Sequence, residues 1–301
     1  MEQYGLTLAV GIIVGVLARI CMLRSDYRHF PGYPHGYVTH ISLGFIAASL
    51  GAVAVPALVE KEFTAVTFLA LAAQQFREIR NMERETLTQL EENELVPRGK
   101  DLIEGIARVF ESRNYLVIAA SLQASLITYF FDVKWAVISS VVLIWIFMRY
   151  LATGHVVGDI ADVVPSKPYF GYAGFKTLLM IDEVVIMEVG LKEAREKILK
   201  EGLGVLIKPK DDNARATLHK VGQRQAILHT VASLVGTKRE VGELEWSPIA
   251  RKNIDTGEIA LFIVPNEPDI EALIQAVKLT PVLESARTTP LESRPGKMAA
   301  D

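Results

Sequence analysis

The chain has 301 residues, half of them hydrophobic and 22% charged, with 32 basic against 35 acidic side chains for a formal net charge of −3. That balance argues against a dedicated nucleic-acid binder, and the single cysteine, Cys21, excludes an internal disulfide and any multi-cysteine metal site. A mean hydropathy of +0.26 is high for a soluble chain and low for one wholly in lipid, so the composition reads as a membrane part joined to a soluble part.

A bilayer core of about 30 Å needs roughly 20 apolar residues in a helix. Gly5 to Met22 satisfies this, with its one charge, Arg19, near the end where it can snorkel to the headgroups. No positive n-region or small-residue cleavage site accompanies it, which reads as an uncleaved signal-anchor. The loop from Asp26 to Tyr37 gathers Tyr27, Tyr33, Tyr37, Phe30, His29 and His35, and His40 follows just inside the next span. Asp26 is the loop's one carboxylate and prolines and glycines break it, so an interfacial aromatic belt is the simpler reading than a metal site.

Tyr37 to Val59 is a second span. Gly11 and Gly15 in the first span, and Gly44 and Ala48 in the second, are small residues at helical spacing that let backbones approach closely. They serve packing within one bundle or, alternatively, pairing with a second copy. Phe63 to Phe76 is short for a crossing. Tyr115 to Phe131 and Trp135 to Leu151 are two further spans, and their brief connector forces an antiparallel hairpin. Four to five spans therefore make up residues 1–152. The five-span count leaves only Lys61 and Lys134 as loop cations on the outer side, which places the N-terminus outside and the C-terminal part in the cytosol. The polar residues of the spans are mild, with no acid or base at mid-depth, and this weighs against a transporter.

Residues 77–114 form a cytosolic linker. Phe76, Ile79, Met82, Leu87 and Leu90 recur as a helical stripe, Leu95-Val96-Pro97-Arg98-Gly99 breaks it, and a second stripe follows at Leu102, Ile103, Ile106, Val109 and Phe110. Gly105 within that stripe costs about 1 kcal/mol relative to alanine, so a close helix approach is expected there. Glu104 is positioned to pair with Arg108 one turn on.

Beyond the spans, residues 153–174 read as a Gly- and Pro-containing linker, 175–286 as a compact α+β domain and 287–301 as a disordered tail. Strands are expected at 178–189, 205–207, 244–249 and 259–264, with an edge strand at 281–283, and helices at 191–201, 211–234 and 268–278. Asp211, Asp212 and Asn213 are N-cap candidates and Gly236 a terminator. The order suggests an α+β sandwich, for which a ferredoxin-like arrangement with an inserted helix is one option. None of the phosphate-binding, zinc-protease or nucleophile-elbow motifs occurs; no catalytic, cofactor or metal residue is assigned and no cofactor is expected. Gln223, Arg224 and Gln225 offer donors to a carboxylate, a phosphate or a partner's backbone. Lys208, Lys210, Lys220 and Arg224 form at most a small basic patch.

The hexapeptide Leu102-Ile103-Glu104-Gly105-Ile106-Ala107 is one conservative step from YIEGIA. Together with the stretches at 26–37, 81–87, 94–101, 114–117, 222–227 and 280–285, it gives the chain a resemblance to the YIEGIA family over nearly its whole length. This resemblance implies a sporulation-associated integral membrane protein of endospore-forming Firmicutes, and it implies no catalytic residues. The expected function is a membrane-anchored regulatory or assembly protein whose cytosolic domain docks a partner protein, with the bilayer as its other partner and a homo-oligomer open. The alternatives are a membrane-surface enzyme using Glu104, His40 or His155 and, less favoured, a transporter subunit.

Overall fold

The computed structural model describes residues 4–26, 34–91, 94–151, 154–237 and 246–299. The aromatic loop lies outside these except at its ends, as does the start of the strand expected at 244–249. Two compact units divide the chain. One comprises residues 1–87 and 106–154, the other 88–105 and 155–301.

The first unit is helical. Helices α1 (Gly5–Asp26), α2 (Pro34–Val59), α3 (Phe63–Glu91), α4 (Lys100–Phe130) and α5 (Val133–Ile146) follow one another, and α5 ends in a π-helical turn at Phe147–Leu151. Three stretches, Gly5–Leu23, Gly36–Val59 and Val133–Tyr150, are long and apolar enough to cross a membrane. The segments 63–76 and 115–131 belong to the longer helices α3 and α4, which fall short of that measure.

Lipid is as apolar as leucine, so close backbone contact and buried hydrogen bonds must hold such helices together. The seam between α1, α2 and α4 is built accordingly. Gly11 faces Ala52 and Ser125, and Gly15 faces Ala48 and Ser121. Ser121 Oγ donates to the Ala48 carbonyl at 2.5 Å and Ser125 Oγ to the Thr7 carbonyl at 3.1 Å. Gln123 Nε2 donates to Ser139 Oγ at 2.7 Å and ties α4 to α5. Phe76, Val117, Ala124 and Phe147 complete an apolar core, while Trp135, Ile138, Val141, Val142 and Trp145 on α5 face outward.

Arg19 departs from expectation. It is fully buried rather than snorkelling: its guanidinium hydrogen-bonds His40 Nδ1 and lies 5.6 Å from the Phe110 ring centroid. Its stem runs over Gly44, where a Cβ would come within 2.6 Å of Arg19 Cγ. The small residue at 44 thus makes room for a long cation as well as for a helix.

The second unit is α+β. Its four-stranded sheet has the order β1 (Ala161–Pro165), β5 (Leu203–Pro209), β7 (Ile259–Ile263), β6 (Ile249–Lys252), and a three-stranded meander comprises β2 (Tyr169–Ala173), β3 (Lys176–Ile181) and β4 (Val184–Glu188). Successive strand residues point to opposite faces, and both faces of the central strands are apolar. Val205, Ile207, Ile259, Leu261 and Ile263 pack with helices α8 (Asp212–Leu218), α9 (Val221–Val235) and α10 (Ile270–Leu279). Leu206, Ala260, Phe262 and Val264 pack with the meander and with Ile198 of α7 (Lys192–Glu201).

Several expectations are corrected. Every strand pair is antiparallel, and the four-stranded sheet puts its first two strands in chain order, β1 and β5, side by side, whereas the ferredoxin-like arrangement separates its first two strands by a third, so that option fails. The strand expected at 178–189 is two strands, because Asp182, with φ 53°, turns the chain. The stretch 153–174 is not a linker but holds α6 (Val157–Ile160), β1 and β2. Pro165 and Pro168 masked it, yet proline suits edge strands. The helix expected over 211–234 breaks at Lys220, which is extended with ψ 136°. The tail carries a 3-10 turn at Pro290–Glu292 and α11 (Arg294–Ala299), held where the Leu291 N–H donates to Asn213 Oδ1 at 3.1 Å. The N-cap reading holds: Asp211 accepts from the Ala214 N–H at 2.6 Å.

Gly51 tests the helical seam against backbone, since a Cβ there would press on the Ile118 carbonyl and sit 2.9 Å from Ser121 Cβ. Gly51→Ala is expected to cost about 1–3 kcal/mol through overpacking, read as a lower melting temperature in detergent. Unchanged melting would mean that α2 and α4 are not packed this closely. Near the end of α3, burial raises the Glu83 carboxyl above its ordinary value. Glu83 therefore costs stability above the unfolded carboxylate range, where it must ionise while buried, and costs none below it, where it is protonated in both states. Glu83→Gln is expected to raise the melting temperature at pH 7, with the gain shrinking to nothing as the pH falls below 4.

Candidate functional site at the linker and helix α9

The start of α9 carries Gln223, Arg224 and Gln225, and the second unit brings two distant stretches of chain onto it. Gly222 comes first. A Cβ there would lie on the Asp101 carboxylate, so only glycine lets the first turn of α4 pass. Gln223 is fully buried; its Nε2 donates to the Pro281 carbonyl at 2.9 Å and its Oε1 accepts the Leu283 N–H at 2.8 Å. Both ends of that amide are spent inside the domain. The same segment pairs with the domain's first residues, where the Val157 N–H donates to the Thr280 carbonyl at 2.8 Å.

Gln225 reaches the other way. Its Nε2 donates to the Pro97 carbonyl at 2.6 Å. Gly99, at φ 86°, bends the linker beside it, and a Cβ there would come within 2.8 Å of Gln225 Cγ. One turn on, His229 Nδ1 lies 2.8 Å from the Val96 carbonyl and 3.4 Å from Glu94 Oε2. Both partners are acceptors, which assigns the proton to Nδ1 and leaves Nε2 facing Ser233 Oγ at 3.4 Å. Glu94 also meets Arg98 at 3.1 Å. Proline and glycine therefore break the linker into a loop, and α9 clasps the carbonyls that the break exposes.

The row Ser233, His229, Glu94 has the order of a nucleophile, a base and an orienting acid. A serine inside a helix, however, has neighbouring N–H groups committed to the helical ladder, and acyl transfer needs a free pair of them for the oxyanion. The row fixes a loop and does not build a hydrolytic site.

Arg224 differs from its two neighbours. Its Nε is buried without a hydrogen-bond partner among the described residues, and burial, then the charge of Arg251, lower its basicity below the ordinary arginine range. It is the residue of the three that has a use for an anion. The basic patch around it is dispersed: Lys208 Nζ meets Glu258 at 3.1 Å and Lys210 Nζ meets the Gly158 and Asp159 carbonyls, each at 3.1 Å.

The motif residues do not join this cluster. Leu102, Ile103, Ile106 and Ala107 are buried, as their stripe predicts, and Glu104 and Gly105 are half-exposed. The expected close approach at Gly105 is absent among the described residues, none of which, beyond its own helix neighbours, lies within 4 Å of where its Cβ would be. The boundary between the two units falls directly after Gly105, inside α4. His155 is exposed, 3.8 Å from Asp159, and His40 is buried beside Arg19. No group of three His, Cys, Asp or Glu stands ready for a metal among the described residues. Glu94, Asp101 and Gly222 were not singled out from sequence, Val96 was read only as part of the helix break, and His229 only as lying too far from His219 to share a metal ion with it. The available signal was that 94–101, 222–227 and 280–285 each carried the family resemblance, and the fold brings the three together.

Removing both linker donors with Gln225→Ala and His229→Ala is expected to cost about 1 kcal/mol per hydrogen bond. Amide hydrogen exchange at 94–99 should then quicken by at least tenfold while β7 stays protected. Equal exchange in both proteins would mean that the clasp contributes nothing to holding the loop.

The sequence pattern of the family described as YIEGIA protein matches residues 7–293. The uncharacterized protein YphB of Bacillus subtilis (strain 168) is 44% identical over 292 residues, covering 97% of each chain. No solved structure matches.

Proposed function

The chain belongs to the YIEGIA protein family, and on that premise we propose that it is a membrane-anchored regulatory or assembly protein acting in sporulation. Its α+β unit faces the cytosol and docks a partner protein, its N-terminus lies outside, and residues 115–130 of α4, with 63–76 of α3 as a fifth, add to the three apolar helices as further spans. The observation that carries this reading is the clasp. The chain passes between the units at residues 87/88, 105/106 and 154/155, and the linker between the first two crossings is gripped by α9. A partner that shifts α9 therefore acts on the ends of α3 and α4 through covalent chain. Arg224, with Arg251 beside it, suits an acidic segment on that partner, because a carboxylate would offset two crowded guanidinium charges.

In-cell crosslinking during sporulation, comparing the natural chain with Arg224→Glu, tests the proposal. A specific crosslinked protein should fall at least tenfold in yield in the variant at equal protein level, and sporulation frequency should fall with it. A deletion strain that sporulates at the normal frequency, or a partner captured equally by both proteins, would overturn it. The enzyme alternative makes the opposite demand, that Glu104→Gln or His155→Ala abolish function while capture is unchanged.

A further inference from the structure

The meander of the second unit ends in a bare aromatic tip. β2 and β3 are joined by Gly174 and Phe175, with Gly174 at φ 63°. Tight turns favour Gly, Asn, Asp, Pro and Ser, yet the second turn residue here is a phenylalanine that is wholly exposed (110%), and Tyr172 beside it is 77% exposed. The base of the hairpin is fixed, because Phe170 and Leu179 pack into the domain core. The tip itself, Tyr172-Ala173-Gly174-Phe175, carries no ionisable group except the phenol. The nearest cation, Lys176, is matched by Glu188 at 3.1 Å. A rigid stalk thus presents an uncharged aromatic end that the domain leaves uncovered.

We propose that this tip inserts into the headgroup layer of a lipid bilayer. Three features select lipid as the occupant. Aromatic side chains with one apolar body and, for tyrosine, one polar end are the residues that concentrate at membrane interfaces. The same chain carries three helices long and apolar enough to span a bilayer, and the hairpin follows the last of them along the sequence, Leu151 to Tyr169, so a bilayer that holds those helices is covalently tethered to it. Finally, a tip with no unmatched charge desolvates at little cost and has no need of anionic lipid, in contrast to polybasic surface anchors. The proposal is independent of the partner protein and is tested without one.

The test uses the full chain with Cys21→Ser, carrying Phe175→Cys labelled with an environment-sensitive fluorophore, in phosphatidylcholine vesicles. The comparison label sits at Glu183→Cys, in the exposed turn between β3 and β4. Brominated acyl chains should quench the label at 175 at least threefold more than the label at 183, and adding phosphatidylglycerol should change this by less than a factor of two. A label at Tyr172→Cys, which leaves Phe175 in place, should behave as the one at 175. Equal quenching at 175 and 183 overturns the proposal. So does a label shielded from iodide but untouched by brominated lipid, which would identify a protein contact such as a second copy.

Discussion

Carbonyl groups freed where a helix stops must find donors, and in this protein that requirement ties an internal linker into the C-terminal unit. The linker between α3 and α4 breaks at Pro97 and Gly99, and the carbonyls of Val96 and Pro97 are met by His229 and Gln225 of α9. Because residues 88–105 pack with the C-terminal unit, a segment that the chain order places between two bundle helices is structurally part of the sheet domain. The domain is therefore not a passenger at the end of the chain. It is threaded into the middle of it.

The two units solve burial in different ways, and their side chains record the difference. The sheet domain relies on water: strands β5 and β7 put branched residues on both faces, and two layers of helix and meander cover them. Burial of that kind is worth roughly 25 cal/mol per Å² of apolar surface. Between helices in lipid that force would be missing, and glycine, alanine and serine form the α1–α2–α4 seam. Removing a side chain there strengthens packing, the reverse of the rule in the sheet core.

Much of this was legible in the sequence where a pattern was long. Gly5–Leu23, Gly36–Val59 and Val133–Tyr150 follow from apolar length alone, Asp211 and Asp269 cap helices as their chemistry requires, and the stripe of Leu102 and Ile103 is buried. Short elements escaped. β1 and β2 have five residues each and border prolines, so no periodicity rises above the turn signals. The break at Lys220 left no trace because the apolar stripe runs on across it. Gln223 and Gln225 were singled out as donors, but their acceptors, at Pro281 and Pro97, are main-chain carbonyls that no side-chain pattern announces. Arg19 was misplaced for a related reason: position along a helix gives depth, not which neighbour lies beside it.

That arginine bears on how the helices of the first unit depend on one another. A guanidinium on a helix in hydrocarbon is costly by itself, and here its cover comes from elsewhere in the chain: the imidazole of His40, the ring of Phe110 and the cleared surface at Gly44. The cover of that one charge on α1 therefore depends on both α2 and α4. The charge of the first apolar helix is thus covered by side chains that arrive later in the chain, His40 by 21 residues and Phe110 only with the fourth helix.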